Sequence, residues 1–351
     1  MDWSPIMSDG ESPWDRDLVN DRRSAALDGK RHSDCSLCWK AEDQGLPSFR
    51  TSITSRSVMN RMIINFGNTC NLACTYCWHG NSSVWAAKTG MHPLIPEDMQ
   101  QKREIFWKWW TGHSSEIKSI IISGGEPSLT TDAYEWIDRA KPRNKEILYN
   151  TSAATSQVWW KRFVNTVSEL GHENRVIVRV SMDAVGDRFE WIRTGLSWKL
   201  FESNLHLLLE KAKQGNMLVR ISPTLSCLTL EGMHDVAGWI RDVSDGRMDF
   251  IELDGLDLVE YPDYHRPGPW LCYFSTEIQD MLSMDGLGIN RHTRDQMDQL
   301  VKAASNRSPS PDDARIMITG MDRLASSWGK PDWRRVFPRL WSHAESLASS
   351  D

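Results

Sequence analysis

No apolar stretch of this sequence approaches the roughly 18 residues that a membrane-spanning helix requires. The opening Met1-Asp2-Trp3-Ser4-Pro5 lacks the basic and apolar regions of a signal peptide. A basic excess is also missing. The 351 residues carry a formal net charge of −6 and a sequence pI of about 6.0. That argues against a broad phosphate-binding face, leaves room only for a local basic patch, and makes a nucleic-acid partner unexpected. No internal repeat or low-complexity block is present. The seven cysteines are odd in number and clustered, so a disulfide framework is not expected. Together these absences describe a soluble protein of a reducing, cytoplasmic compartment, with no membrane partner. The length fits one large domain or a domain with appendages. Tryptophan is abundant, at 18 residues, and most are expected to pack in the core and its interfaces.

The stretch around which the chain is organised is Cys70-Asn71-Leu72-Ala73-Cys74-Thr75-Tyr76-Cys77-Trp78. It follows the short apolar run Met62–Phe66, so the loop hangs off the end of a strand, where α/β proteins keep their chemistry. Thiolates at C-x3-C-x2-C spacing on one loop suit an iron–sulfur cluster, because soft ligands this close wrap one corner of a cube. Three cysteines leave one of the four irons of such a cube without a protein ligand. The spacing also admits zinc, with His79 as a fourth ligand.

A second motif, Ile120-Ile121-Ile122-Ser123-Gly124-Gly125-Glu126-Pro127, is a buried-type strand ending in two glycines and an acid. Glycines permit close approach to the backbone, and the Glu126 carboxylate is suited to accept from an amino group. Taken together, the C-x3-C-x2-C and Gly-Gly-Glu-Pro motifs strongly resemble those of the radical S-adenosylmethionine (radical SAM) superfamily. The resemblance covers about residues 32–260 and implies a [4Fe–4S] cluster on Cys70, Cys74 and Cys77. In the family the open iron takes the amino and carboxylate groups of S-adenosylmethionine. Gly124, Gly125, Glu126 and Pro127 correspond to the stretch that holds the methionyl amino group.

Upstream, Cys35-Ser36-Leu37-Cys38-Trp39 with Glu42, Gly45, Ser48 and Arg50 resembles the cysteine segment that precedes the barrel in radical SAM proteins with a twitch (SPASM-like) domain. Such proteins carry an auxiliary iron–sulfur cluster in some cases. Residues 1–34 contain no cysteine, and Cys227 and Cys272 stand alone in sequence, so this chain departs from that pattern. An auxiliary cluster on Cys35 and Cys38, a structural zinc with His32, and a packing remnant all remain open readings.

From about residue 58 the chain alternates strand-like runs (62–66, 120–123, 146–149, 176–182, 217–223 and 250–254) with helical stretches near 97–111, 131–140, 156–169, 197–214 and 231–243. Pro96 and Glu97 suit the start of the first helix, and Gly215 suits the end of the fourth. This alternation predicts parallel βα units, and the resemblance sharpens them to a partial (β/α)6 TIM-type barrel with a lateral opening. The expected organisation is an N-terminal extension over 1–55, a core barrel over 56–260 and a mostly helical extension over 261–351. Residues 1–13 are expected to be flexible and 14–29 to form a surface helix closed by Gly29. A connector over 261–270 is followed by helices over 275–304 and 331–349.

Strand C-termini in such a barrel converge on the site. There stand Asn150 and Thr151, then Ser181 and Asp183, suited to ribose hydroxyls or a carboxylate and equally to turn chemistry. The resemblance places Ser181 and Asp183 where the family contacts the nucleoside. It makes Tyr76 the aromatic near the adenine and Arg193 a clamp for the methionyl carboxylate. Arg220 is expected either to reach the cofactor or to pair inside the barrel.

The implied activity is reductive cleavage of S-adenosylmethionine to a 5′-deoxyadenosyl radical that abstracts a hydrogen atom, most simply from a peptide or protein side chain. Alternatives are a small metabolite (a sugar, nucleoside or amino acid) or a non-catalytic metal-binding interaction module. The chemistry also calls for a reducing partner of the flavodoxin or ferredoxin type.

Overall fold

The computed structural model describes residues 17–43, 48, 60–91, 96–215, 217–245, 247, 249–254, 257–258, 263–284, 287–289, 291–304 and 308–350. The polar start (1–13), Gly45 and Arg50 of the cysteine segment, Tyr261 and Pro262, and both expected domain boundaries lie outside the described residues.

Helices α1 (Asp17–Leu27) and α2 (Ser36–Asp43) precede strand β1 (Arg61–Asn65). Next come β2 (Ala73–Cys74), α3 (Ser83–Thr89), α4 (Pro96–His113), β3 (Ser119–Ser123) and α5 (Thr131–Ala140). The alternation continues through β4 (Glu146–Thr151), α6 (Gln157–Leu170), β5 (Arg175–Ser181), α7 (Asp187–Ile192), β6 (Arg193–Thr194), α8 (Trp198–Ala212) and β7 (Met217–Ser222). It ends with β8 (Thr224–Leu225), α9 (Cys227–Leu230), α10 (Met233–Ser244), β9 (Ile251–Leu253) and β10 (Asp257–Leu258). The C-terminal part is helical: α11 (Leu271–Leu282), α12 (Arg291–Ala304), α13 (Pro311–Trp328), α14 (Trp333–Val336) and α15 (Pro338–Ala348).

Six strands form one sheet in the order β1-β3-β4-β5-β7-β9. Pairing is parallel between β4 and β5, β5 and β7, and β7 and β9. This is the strand–helix alternation of a partial (β/α)6 barrel. The strands lie within two residues of the expected runs, and Pro96 and Gly215 stand where helix-end chemistry places them, Gly215 with φ +87°.

Side chains alternate across the sheet. One face carries Tyr149, Val178, Val180, Val219 and Ile221, all buried. The opposite face carries a row in register, Asn150–Arg179–Arg220–Glu252. Here Arg179 pairs with Asp254 at 2.9 Å and Arg220 pairs with Glu252. Of its two expected roles, Arg220 therefore takes pairing inside the barrel.

The chain falls into two compact units. One includes residues 1–63 and 94–121. Within it Arg31 bridges to Asp43 and lies 5.0 Å over the Trp39 ring, tying α2 to the residues before it. Helix α4 buries Trp109 and Trp110, and Trp109 stacks on His113 at 5.1 Å.

The other unit includes residues 64–93 and 122–351. Helix α13, which pattern reading missed, starts on a capping box between Ser310 and Asp313, with Pro311 at its first position. It stops at Gly329, φ +61°. Gly320 in its middle faces the Tyr264 ring, and a Cβ there would overlap that ring. The single helix expected over 275–304 is two, because α11 ends at Leu282 and α12 starts at Arg291. Glycines 286 and 288 stand in the intervening sequence.

Candidate active site

The cysteine loop begins where β1 ends. Asn65 turns the chain by accepting the Gly67 N–H at 2.8 Å through its side chain. The Gly-Gly-Glu stretch then stitches to the same segment, with Gly125 N–H donating to the Gly67 carbonyl at 2.9 Å and Glu126 N–H to the Thr69 carbonyl at 2.7 Å. A Cβ on Gly125 would overlap the Thr69 carbonyl, and one on Gly124 (φ +120°) would meet the Asn65 side chain and the Gly67 carbonyl. These glycines permit the close approach of the loop leading to Cys70. Gly125→Ala is therefore expected to cost about 1–3 kcal/mol through overpacking against backbone. It should also lower the iron retained per chain after reconstitution. Chemical denaturation and iron analysis of the variant check both.

Beyond Thr69 the loop is fastened at many points. Ser83 accepts the Cys70 N–H at 3.2 Å and donates to the Cys70 carbonyl at 3.1 Å. Ser82 donates to the Leu72 carbonyl at 2.5 Å, and Asn71 Nδ2 to the Ala154 carbonyl at 2.8 Å. Strand β2 pairs antiparallel with β6, which sets Cys74 opposite Arg193 and Ala73 opposite Thr194. Thr75 N–H donates to the Ile192 carbonyl at 2.9 Å. A loop held this way presents its thiols without a large ordering cost.

Cys74 is buried, while Cys70 and Cys77 are partly exposed. Burial pushes the Cys70 thiol up to about 11 and Cys74 up to about 12, and Cys77 shifts in the same direction. Leu72 N–H donates to Cys70 Sγ at 3.4 Å and Arg193 Nη1 to Cys74 Sγ at 3.7 Å, and both oppose that rise. The free thiols are therefore protonated near neutral pH, and iron binding must displace protons. Below these values iron uptake is expected to rise with pH, by up to about ten-fold per unit for each thiol. Parallel iron titrations at about pH 6.5 and about pH 8.5 check this, and equal uptake would contradict it.

Arg193 and Asp183 are both buried and pair at 2.7 Å through Arg193 Nε. Asp183 also accepts from the Tyr76 hydroxyl and from Thr224 N–H at 2.8 Å. The Arg193 guanidinium lies 5.7 Å from the Tyr76 ring centre. Burial, followed by the neighbouring Asp183 charge, holds the Tyr76 hydroxyl well above its usual range. Asp183 and its partners hold Arg193 protonated against the cost of its burial. Four residues that sequence reasoning singled out separately (Cys74, Tyr76, Asp183 and Arg193) thus form one connected group.

Glu126 forms a second group. It is buried, and its Oε1 accepts from Ser128 N–H at 3.1 Å, Ser128 Oγ at 2.7 Å and Thr151 Oγ1 at 2.7 Å. Its Oε2 accepts from Ser152 N–H at 2.7 Å and Ser152 Oγ at 2.6 Å. Pro127 opens a 3-10 turn directly after it. Ser128 and Ser152 were missed by motif reading, though the run Thr151-Ser152-Ala153-Ala154-Thr155-Ser156 directly after β4 is a polar signal at a strand C-terminus. Asn150 lies within β4 and Ser181 ends β5, in register with Arg179 and Ser222 respectively, and the side-chain bonds to Glu126 come from Ser128, Thr151 and Ser152 instead.

Cys35 and Cys38 are free thiols on adjacent turns. His32, the expected third donor, is engaged elsewhere: Nδ1 accepts the Asp34 N–H at 3.1 Å and Nε2 lies 3.4 Å from Asp21. Cys227 Sγ donates to the Tyr264 carbonyl at 3.4 Å. Among the described residues no three His, Cys, Asp or Glu side chains converge on a point where one metal ion would sit. A single ion demands that convergence, with Zn–S about 2.3 Å, whereas a cube spreads its thiolates over separate irons. The donor set on the loop, three thiols with N–H and guanidinium donors aimed at two of them, suits the latter.

The family model of the radical SAM superfamily matches residues 64–222. This stretch is a radical SAM domain. It holds the three cysteines, Glu126, Asp183 and Arg193. No curated protein matches the sequence. Among solved structures, native anSMEcpe with bound AdoMet is 18% identical with a TM-score of 0.44, over 66% of this chain and 63% of that one. Streptococcus suis SuiB bound to the precursor peptide SuiA is 11% identical with a TM-score of 0.43, over 80% and 54%. TYW1 with a lysine–pyruvate adduct bound is 17% identical with a TM-score of 0.38, over 75% and 79%. Beyond residue 222 the chain adds β8, β9 and β10 and then the C-terminal helices, and no described helix is long and apolar enough to cross a membrane.

Proposed function

We propose that the protein binds a [4Fe–4S] cluster through Cys70, Cys74 and Cys77, binds S-adenosylmethionine beside it, and modifies a peptide or protein side chain. The observation that carries the cofactor assignment is the juxtaposition of Cys74 with Arg193, Asp183 and Tyr76 inside the matched domain. When bound, the two cofactors supply reductive cleavage of the sulfonium and a 5′-deoxyadenosyl radical.

The protein's own residues do the rest. Arg193 keeps Nη2 free of the bonds that fix Nε and Nη1, and offers it to a carboxylate such as that of the methionyl group. Glu126 is fixed in a buried place by five donors and is the acid placed to meet an ammonium group. Tyr76 is held by Asp183, so its ring forms a fixed wall beside Cys74. Together these groups orient the cofactor.

The peptide class rests on the likeness of the Cys35–Cys38 segment to twitch-type proteins; SuiB, named above, binds a precursor peptide. A polar metabolite is the second reading, favoured by the row Asn150, Arg179, Arg220 and Glu252 on one face of the sheet. The test is anaerobic reconstitution followed by a dithionite-dependent assay for 5′-deoxyadenosine. Wild type should form it and Cys70/Cys74/Cys77→Ala should not. Iron left in that variant would assign a second cluster to Cys35 and Cys38, and no product from wild type would refute the proposal. Deuterium transfer into 5′-deoxyadenosine from a labelled peptide or metabolite then separates the two substrate classes.

A further inference from the structure

Lys330 lies in the segment between α13 and α14, far in sequence from the cysteines. Its ammonium donates to the Trp191 carbonyl at 2.5 Å and to Thr194 Oγ1. It also lies 4.6 Å over the Trp191 ring. Thr194 is the β6 partner of Ala73, next to the Arg193–Cys74 pair. Lys330 is thus pinned behind the cysteine loop by neutral acceptors. Neighbouring bonds hold it there: Trp191 Nε1 donates to the Pro331 carbonyl at 3.0 Å and Arg188 Nε to the Val336 carbonyl at 3.2 Å.

The charges on the two sides of Cys74 differ. Arg193 is neutralised by Asp183. Among the described residues no carboxylate pairs with Lys330. A half-buried ammonium without a counter-ion is unfavourable, and burial lowers the Lys330 pKa to about 8. The nearby Lys88 charge pushes it in the same direction.

We propose that Lys330 is a positioning residue that raises the reduction potential of the cluster on Cys70, Cys74 and Cys77, through its positive charge behind the loop. The inference rests on the cluster assignment above. Three thiolates leave the cluster net negative, and one electron from the external donor makes it more so, with no proton moved. A nearby cation without a counter-ion therefore favours the reduced form. For a unit charge at about 10 Å and an effective dielectric of about 20, the ratio of reduced to oxidised cluster changes on the order of ten-fold.

The experiment is a redox titration of the reconstituted full chain, followed by the electron paramagnetic resonance of the reduced cluster. Lys330→Gln keeps N–H donors for both acceptors and removes the charge. It should shift the midpoint to more negative potential, leaving about ten-fold less reduced cluster at the wild-type midpoint. Lys330→Arg should restore the wild-type value. Thr194→Asp leaves Lys330 in place and neutralises it, so it should lower the potential even if the glutamine variant fails to hold a cluster. Thr194→Val, which removes one bond and keeps the charge, should leave the potential unchanged. A wild-type potential in both Lys330→Gln and Thr194→Asp would overturn the inference with the cluster assignment intact. Absence of any cluster signal in wild type would overturn both.

Discussion

Replacing Asp183 with asparagine is expected to destabilise the fold by about 3–5 kcal/mol, the cost of stranding a buried charge. Asp183 and Arg193 are both almost fully enclosed and pair at 2.7 Å. The amide keeps the shape of the carboxylate and leaves the guanidinium uncompensated. It also turns an N–H group toward donors, because the Tyr76 hydroxyl and Thr224 N–H both point at the carboxylate oxygens. The double variant Asp183→Asn/Arg193→Met should be less destabilised than Asp183→Asn alone, since it removes the stranded charge. Urea denaturation of the apo chains measures both. A single variant within about 1 kcal/mol of wild type would mean that the pair is not closed as described.

The second large effect is expected at Glu126. In Glu126→Gln one oxygen becomes an amide nitrogen facing donors. Whichever way the amide turns, Ser128 and Thr151 on one side or Ser152 on the other lose their acceptor. Each unmatched buried donor costs about 1–3 kcal/mol. Because the same donors join the Gly-Gly-Glu stretch to the segment after β4, the variant should also weaken S-adenosylmethionine binding, by about ten-fold or more. Equilibrium dialysis on reconstituted protein reads the affinity, and denaturation reads the stability. Glu126→Asp, which keeps the charge and shortens the reach, should recover part of the affinity. Unchanged binding in Glu126→Gln would remove Glu126 from the cofactor site.

The parallel strands were legible because runs such as Ile120–Ile122 and Val176–Val180 are short, β-branched and bounded by turn residues. Helix α13 was not, because Gly320 and several polar residues interrupt its apolar pattern. Its starting signals, Ser310, Pro311 and Asp313, were nevertheless in plain view. The cysteines and Gly-Gly-Glu were visible as spacing. Their mutual packing was not, since whether a glycine admits a ligand or the chain itself depends on what folds against it. Arg193 and Asp183 could be named one by one, but the bonds that join them to Tyr76 and Cys74 span more than a hundred residues of sequence. Lys330, 136 residues from Thr194, carries no local signal at all.

The central claim is that three cysteines hold a cluster with one iron left open for S-adenosylmethionine. The most direct test is the electron paramagnetic resonance spectrum of the reduced, reconstituted protein before and after adding S-adenosylmethionine. A reduced-cluster signal that changes shape on addition, in wild type and not in Arg193→Met/Glu126→Gln, is the expected result. A signal indifferent to S-adenosylmethionine, or no signal in a chain that has taken up zinc instead of iron, would contradict the account.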